Sequence, residues 1–350
     1  MNNYYITNIS DKIKEGGMAR NNAFYMYFLE TNYKIINLNS TSNIKRIIKM
    51  IYFIYICLYF RNKNIFIHIE VIKRYLPPSI FINYLRKLFK RLINHLDKNN
   101  ELIIEVNDLS YEQAFDLGLP INENFKIFQE DVFNLKNAKY IFASEQMRLY
   151  TESKYIKYNN STSTILNGSP KLDITIQLDT IIVDLLDNLK NKAIYSGTLN
   201  KGRDIEKLIN IFKYTQNWNL ILIGSNGEWI SKEILPSNVF YLGNFEENVA
   251  HKIVSKCDLG LLPYDSSKFY YNLCYPTKVP FYFSAGISIL SVPLNEIKSY
   301  DYECIMYLEI EQWSEYLLRN DNKIEYKNIE SNLFIWRNII KRNDIIRGII

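Results

Sequence analysis

The chain has 350 residues, of which 47% are apolar and 23% charged, a balance that fits a folded protein of about two domains. Its four cysteines stand far apart, with no Cys-x-x-Cys pair and no neighbouring histidines, which excludes a zinc site or disulfide framework of the usual spacing. The polar N-terminus shows no secretory signal, so we expect a cytoplasmic protein.

The net charge of +5 is unevenly distributed along the chain. Residues 44 to 98 contain twelve Lys and Arg against Glu70 and Asp97, so this stretch carries about +10 and the remainder about −5. The mostly apolar run Ile47–Phe60 is shorter than the roughly 20 residues of a spanning helix and predicts a buried crossover helix. A helix on a membrane surface is the alternative, because the next helix, Ser79–Leu96, has a basic outer face.

The first half alternates short apolar runs with helical patterns, which implies a parallel sheet with crossover helices. The predicted strands are Tyr4–Ile9, Lys34–Leu38, Ile65–Glu70, Leu102–Val106 and Tyr140–Ala143. The predicted helices are Ile44–Phe60 and Ser79–Leu96.

The second half repeats this alternation. The predicted strands are Ala193–Ser196, Leu220–Ile223, Val239–Leu242, Leu259–Leu262 and Ser288–Val292, and the predicted helices are Asp204–Tyr214, Asn248–Lys256, Lys278–Ala285 and Ile329–Lys341. The turn cluster Asn-Gly-Ser-Pro at 167–170 marks the boundary. We therefore predict two doubly wound domains, 1–170 and 171–328, and a C-terminal helix in 329–350 that returns to the first domain.

Two motifs of the second half suit an anionic ligand. Gly197 and Gly202 follow a strand and precede a helix, whose free amides favour phosphate, and Lys201 and Arg203 add cations to the same turn. An ordinary turn with exposed charges is the alternative.

The second motif is Asn272-Leu-Cys-Tyr-Pro-Thr-Lys278, which opens another helix. Thr277 is a candidate N-cap, and Lys278 then stands in the first turn, where the helix dipole disfavours a cation unless an anion is bound. Both motifs follow strands of one parallel sheet, at the edge where open α/β sheets bind ligands.

The order of these motifs resembles the donor half of GT-B glycosyltransferases of the retaining family 4 kind. The segments that carry the resemblance are KAIYSGTLNKGRDIEKLI, NLILIG, VFYLGNF, CDLGLLPY and PTKVPFYFSAGISILSV. The first half is similar through Gly16-Gly17, EVNDL, YIFASEQM and ILNGSP. The resemblance implies an α/β protein with the GT-B architecture, in which two Rossmann-like doubly wound parallel-sheet domains face a cleft.

The resemblance also implies a donor site in the second domain, where Lys201 and Lys278 contact the diphosphate of a sugar nucleotide and Arg203 is a secondary contact. The other implied donor contacts are Gly197 and Thr198 beneath the phosphates, Gly243 and Asn244 at the base, and Asn272, Tyr275 and Thr277 beside the sugar or phosphate. The chain departs from the family at Thr198, where arginine is usual, and at Phe281, where a glutamate binds the ribose.

The acceptor side is expected in the first domain. Gly16 and Gly17 would let the first loop approach a substrate, and Asn107 and Asp108 follow the strand Leu102–Val106 at the edge of the sheet. Asp108 is a candidate general base if the reaction inverts configuration, and capping of the next helix is its alternative role. No Asp-x-Asp element occurs, so no metal is implied and the lysines neutralise the diphosphate.

We therefore predict a hexosyltransferase that uses a nucleoside diphosphate sugar, expected to be a UDP-sugar, and no other cofactor. The acceptor is expected to be a glycan or a lipid-linked glycan in the synthesis of surface polysaccharide or glycoconjugate. Peripheral contact with an anionic membrane and a homo-oligomer are expected, and nucleic-acid binding is not. The alternatives are a GT-B sugar-nucleotide epimerase and a non-catalytic partner of a glycosyltransferase.

Overall fold

The computed structural model describes residues 2–9, 16–77, 82–200, 204–319 and 330–348. The chain divides into two compact units. The first unit comprises Met1–Asn167 and Ile339–Ile350, and the second comprises Gly168–Asn338. The division falls within the Asn-Gly-Ser-Pro turn cluster, three residues before the predicted boundary.

The first unit is built on a six-stranded parallel sheet in the order β2-β1-β3-β4-β5-β6. Its strands are β1 (Asn2–Thr7), β2 (Lys34–Asn37), β3 (Lys63–His68), β4 (Glu101–Val106), β5 (Lys139–Phe142) and β6 (Thr162–Thr164). Its helices before the boundary are α1 (Gly16–Leu29), α2 (Asn43–Tyr59), α3 (Ile69–Tyr75), α4 (Ile82–Asn99), α5 (Ser110–Asp116), α6 (Glu123–Phe133) and α7 (Glu145–Lys154). The strand interiors are buried runs of Ile, Leu, Val and Phe, as expected for a sheet covered on both faces.

The second unit also has a six-stranded parallel sheet, in the order β12-β11-β10-β7-β8-β9. Its strands are β7 (Lys192–Ser196), β8 (Asn219–Ile223), β9 (Val239–Gly243), β10 (Leu259–Leu262), β11 (Ser288–Ser291) and β12 (Ile305–Tyr307). Its helices are α8 (Thr180–Asn188), α9 (Ile205–Lys213), α10 (Glu247–Val254), α11 (Phe269–Leu273), α12 (Lys278–Ser284), α13 (Asn295–Lys298) and α14 (Trp313–Arg319). Short 3₁₀ turns occupy Ile230–Lys232, Ile310–Gln312 and Ser331–Phe334.

The last helices are α15 (Trp336–Arg342) and α16 (Asp344–Arg347). Ile340 and Ile346 are fully buried in the core of the first unit with Tyr5, Phe24 and Phe28. The predicted helix Ile329–Lys341 is thus shorter in the structure, and residues 320–329 lie outside the described ranges.

The predicted strands are present in the structure with small shifts at their ends. The predicted strand Ile65–Glu70 ends at His68, because Ile69 and Glu70 already belong to α3. Strands β6 and β12 were not predicted, since each has only three residues.

Helix α2 differs from the prediction of a buried crossover helix. Phe53, Ile56 and Cys57 form a buried inner face, but Ile51 on the other side is 61% exposed. The helix is thus covered on one face only. Within the described ranges, no helix has both the length and the apolarity needed to cross a bilayer.

A buried polar network links β1, α1 and β3 with β4. The Tyr5 hydroxyl lies 2.6 Å from His68 Nε2, and His68 Nδ1 lies 2.7 Å from Glu105 Oε2. The Nε of Arg20, on α1, donates to Glu105 Oε1 at 2.5 Å, and all four side chains are fully buried. Burial raises the pKa of Glu105, but the Arg20 guanidinium and His68 outweigh burial, so that the pKa lies below its ordinary value.

We predict that Glu105→Gln lowers the free energy of unfolding by about 3–5 kcal/mol, because the Arg20 charge then stays buried without its partner. Urea denaturation at neutral pH measures this loss. The matched control is Glu101→Gln on the same strand, whose ion pair with Lys139 is about one-third exposed and contributes less than about 1 kcal/mol.

The depressed pKa of Glu105 also gives a pH signature. Its contribution to stability is complete above the ordinary glutamate pKa of 4.5 and is lost as the pH falls below that value. The Glu105→Gln variant lacks this part of the loss of stability at acidic pH. Equal losses for Glu105→Gln and Glu101→Gln would contradict the assigned role of the network.

Candidate functional site

The strand order of the second unit reverses beside its first strand. From β7 the chain proceeds to β8 and β9 on one side, whereas β10, β11 and β12 lie on the other. The loops that leave the carboxyl ends of β7 and β10 therefore run in opposite directions and leave a crevice between them. Open α/β sheets bind their ligands at such a switch point.

Lys278, the first residue of α12, lies at this switch point. Its Nζ donates to the hydroxyl of Tyr264 at 3.2 Å, just beyond β10. The same Nζ lies 5.0 Å from the centroid of the Tyr195 ring on β7 and 5.4 Å from that of Tyr264. The half-buried ammonium is thus held between residues of the two strands at which the order reverses.

The surroundings of Lys278 keep its side chain charged. Burial alone lowers the pKa of a lysine, but the oxygens of Tyr195, Tyr264 and Tyr282 raise it, and the net pKa lies above its ordinary value. Among the described residues, no carboxylate forms an ion pair with Lys278. Its positive charge is therefore solvated by neutral phenols and is not neutralised.

Gly197 provides the space for this lysine. A Cβ atom at Gly197 would lie 2.7 Å from Lys278 Cε and 2.9 Å from Nζ. On the other side of the loop, a Cβ at Gly224 would lie 1.7 Å from the Gly197 carbonyl oxygen. The amide of Gly197 donates to the Ile223 carbonyl at 3.0 Å, which fixes the loops after β7 and β8 against each other. Neither glycine can carry a side chain in this arrangement.

The other residues predicted around the first motif are partly described. Thr198 follows Gly197, and its carbonyl accepts a hydrogen bond from the Tyr195 hydroxyl at 3.2 Å. Lys201 and Arg203 lie outside the described residues, so the predicted pairing of Lys201 with Lys278 stays a prediction.

Gly243 and Asn244 lie at the carboxyl end of β9. Gly243 has a φ of 101°, which favours glycine, and its carbonyl accepts from the Gly224 amide at 2.9 Å. Asn244 is exposed directly after the strand. Both residues thus lie on the same edge of the sheet as Lys278, as the base-binding prediction requires.

Two predicted donor contacts have other contacts in the structure. Asn272 Nδ2 donates to the Ser266 and Lys268 carbonyls, and its Oδ1 accepts from the Asn295 amide at 2.9 Å, so this amide ties loops together. Tyr275 is 2% exposed, and its hydroxyl lies 3.0 Å from that of Tyr302.

Thr277 occupies the N-cap position of α12, but its backbone is already helical and its side chain makes no capping hydrogen bond. Thr277 thus lies at the predicted N-cap position, but the hydrogen bond expected from its side chain is not formed. The predicted contacts of Asn272 and Tyr275 with the sugar or phosphate stay predictions.

The candidate residues of the first unit lie on separate elements. Asn107 and Asp108 follow the carboxyl end of β4 and are partly exposed. The N-cap of α5 is Leu109, so Asp108 does not occupy the capping position. Gly16 and Gly17 begin helix α1, whereas the prediction placed them in the first loop.

Two tyrosines of the site were not predicted. Tyr195 belongs to the quoted glycine motif and Tyr264 follows β10 directly, but a tyrosine in either place is also typical of an ordinary core. Only the folded arrangement brings both rings to Lys278. Within the described ranges, no group of His, Cys, Asp and Glu is placed to hold a metal ion.

Phe281, where the family carries a glutamate, packs in the structure on a buried histidine. The rings of Phe281 and His251 stack with their centroids 4.5 Å apart, and His251 Nε2 lies 2.9 Å from Ser284 Oγ. Burial lowers the pKa of His251 to about 4. The position thus contributes to the packing between α10 and α12.

We predict that His251 makes the stability depend on pH in the mildly acidic range. The unfolded chain binds a proton at an ordinary pKa of 6.5, and folded His251 does so only near 4, so stability is lost as the pH falls between these values. The loss from pH 8 to pH 5 is about 2 kcal/mol. Urea denaturation across this range measures it.

His251→Gln removes this part of the slope, and His95→Gln, which replaces a partly exposed histidine of the first unit, leaves it in place. A slope that persists in His251→Gln would exclude His251 as its source.

The sequence matches no protein-family model and no curated protein. Solved structures match over almost the whole chain. Sucrose-phosphate synthase from Thermosynechococcus elongatus has a TM-score of 0.63 and 12% identity, covering 97% of this chain and 96% of its own. The α,α-trehalose 6-phosphate synthase from Burkholderia multivorans has a TM-score of 0.58 and 9% identity, covering 99% and 98%.

At these identities the likeness concerns the fold, and the more specific resemblance to family 4 stays a prediction. Each unit is a Rossmann-like domain on a six-stranded parallel sheet, as predicted. The chain therefore has the GT-B fold of these glycosyltransferases.

Proposed function

We propose that the chain is a glycosyltransferase that moves a sugar from a nucleoside diphosphate sugar, with UDP as the expected nucleotide. The observation that carries the proposal is the ammonium of Lys278, held at the switch point of the second unit with no carboxylate partner among the described residues. The GT-B fold and its likeness to synthases of phosphorylated disaccharides support the same reaction class.

The donor diphosphate is the ligand that this position favours. Folding has already removed part of the water around this half-buried cation, and no carboxylate among the described residues takes the place of that water. The cation therefore attracts an anion strongly. Gly197 and Gly224 let the loops after β7 and β8 and the lysine stem pack closely together, which holds the ammonium at the end of the sheet. The flanking Tyr195 and Tyr264 hold the ammonium in one place, which is the preorganisation that electrostatic catalysis needs.

The role of Lys278 follows from how charge develops during transfer. As the bond between the sugar and the diphosphate breaks, negative charge accumulates on the departing phosphate oxygens. An ammonium already fixed beside them stabilises that charge without reorganising at the moment of reaction. Lys201 and Arg203, on the same glycine motif, would add to this effect.

The acceptor side of the proposal belongs to the first unit. We place a glycan or a lipid-linked glycan there, as in the synthesis of surface polysaccharide or glycoconjugate. Asp108, partly exposed after β4, is the proposed general base for an inverting reaction. Retention of configuration would remove the need for this base.

We predict that Lys278→Met weakens the binding of UDP by roughly tenfold to a hundredfold, because a charge-assisted hydrogen bond of about 1.5–3 kcal/mol is lost. Isothermal titration of UDP into the wild type and the variant measures the change. Methionine keeps most of the volume of the lysine stem, so the packing against Tyr195 and Tyr264 is retained.

The matched control is Lys213→Met, which removes an exposed lysine at the C-terminal end of α9 in the same unit. Its affinity for UDP should equal that of the wild type. Equal affinities for all three proteins would contradict the donor site at Lys278.

Product analysis separates the alternatives. A transferase consumes a UDP-sugar and an acceptor, an epimerase releases UDP and a rearranged sugar without any acceptor, and a non-catalytic partner converts neither. Loss of turnover in Lys278→Met would exclude the non-catalytic role.

A further inference from the structure

Helix α2 exposes a row of large apolar side chains on the face that points away from the sheet. We call Ile44, Ile47, Ile48, Ile51, Tyr55 and Tyr59 the outer stripe. Their exposed fractions lie between 49% and 75%. The spacing of three, four, seven, eleven and fifteen residues from Ile44 places them along one side of the helix.

The opposite side of α2 already covers the sheet with Phe53, Ile56 and Cys57. A helix with one buried face carries mainly polar residues on the other, whereas the outer face of α2 combines the apolar stripe with a few cations. A contiguous exposed apolar row of this kind marks a surface that binds a partner.

The charges on and beside α2 are strongly one-sided. Its N-terminal third carries Lys45, Arg46 and Lys49, and the helix contains no acidic residue. Helix α4 packs against α2 and exposes Lys87 and Arg91 next to Leu88, which is 43% exposed. The partner of the stripe therefore has to accept apolar side chains and several cations together.

A basic groove continues this surface on the other side of α4. It encloses about 990 Å³ between α4, α6 and the segment after α7, and it is lined by seven lysines and arginines against three acidic residues. Within the described ranges, no ion pair involves Lys98, Lys126, Lys136 or Lys157. The groove thus carries a net charge of about +4 from its lining, which suits anionic headgroups.

We propose that this face of the first unit lies on an anionic lipid bilayer. The outer stripe enters the interfacial layer, and the cations of α2, α4 and the basic groove face the headgroups. Tyr55 and Tyr59, stacked with centroids 4.8 Å apart, have the apolar ring and polar hydroxyl that suit the membrane interface. The inference goes beyond sugar transfer, and it would bring the enzyme to a lipid-linked acceptor.

The composition of the surface favours a bilayer over other partners. A second copy of the chain would bring the cations of two α2 helices together without any acid on the helix to pair them. A nucleic acid would neutralise the cations, but it would leave the isoleucines of the stripe without an apolar partner.

The test is cosedimentation of the full chain with phosphatidylcholine vesicles, with and without phosphatidylglycerol. We expect binding to the anionic vesicles only, and weaker binding at high salt. Ile47→Ser combined with Ile51→Ser should weaken it by roughly tenfold per isoleucine. Lys98→Gln combined with Lys157→Gln should weaken it by about fivefold per cation.

The matched control is Ile181→Ser combined with Ile234→Ser, which removes two exposed isoleucines from the second unit and should leave binding unchanged. Circular dichroism checks that each variant folds. Absence of vesicle binding, or unchanged binding of the Ile47→Ser, Ile51→Ser protein, would overturn the proposal.

Two further outcomes would replace the bilayer with another partner. A dimer in light scattering that the stripe variant converts to a monomer would assign the surface to self-association. Binding to a DNA duplex that depends on Lys98 and Lys157 but not on the stripe, without vesicle binding, would assign it to nucleic acid. UDP titration of the same proteins keeps the donor site separate, because that site should be unaffected by every variant here.

Discussion

A tight backbone approach at Gly197 and Gly224 is the constraint on which the site of the second unit depends. Gly197 lies between Lys278 on one side and Gly224 on the other, with no room for a Cβ atom at either glycine. The approach fixes the loop after β7 against the loop after β8 and brings the lysine stem over the end of the sheet. The ammonium reaches its position because Gly197 and Gly224 have no side chains, as well as because residue 278 is a lysine.

The two units treat buried charge in opposite ways. In the first unit, Arg20 and Glu105 neutralise each other, and His68 and Tyr5 extend the network. The charges of Arg20 and Glu105 are thus paired within the protein. In the second unit, the charge of Lys278 is surrounded by phenols. A charge that the described residues solvate but do not neutralise remains available to a ligand, and the donor site proposed for Lys278 depends on this difference.

Much of the architecture could be predicted from the sequence. Buried parallel strands are short apolar runs, and their alternation with helices identified both sheets. Strands such as β6, with three residues of Thr-Ser-Thr, carry no apolar signal and exist only because the neighbouring strand offers hydrogen bonds. The start of α12 at Lys278 was also predicted, from its motif and from the glycine stop at Gly286.

The partners of the predicted residues were not predictable. Tyr195, on β7, and Tyr264, just beyond β10, reach Lys278 from outside its helix, and the pairing of Arg20 with Glu105 spans 85 residues. Tyr275 was predicted beside the sugar because of its motif, but the structure buries it against Tyr302. Local patterns report which face is apolar, and they do not report which distant side chain will meet it.

The return of the chain to the first unit has a consequence for the order of folding during synthesis. Ile340 and Ile346 fill the core beside Tyr5, and the side chain of Asn343 donates to the Thr164 carbonyl at 3.2 Å. The ribosome makes these residues only after it has synthesised the entire second unit. The unit that begins the chain therefore cannot complete its core until the later unit is made, and the second unit is the one free to mature first on the ribosome.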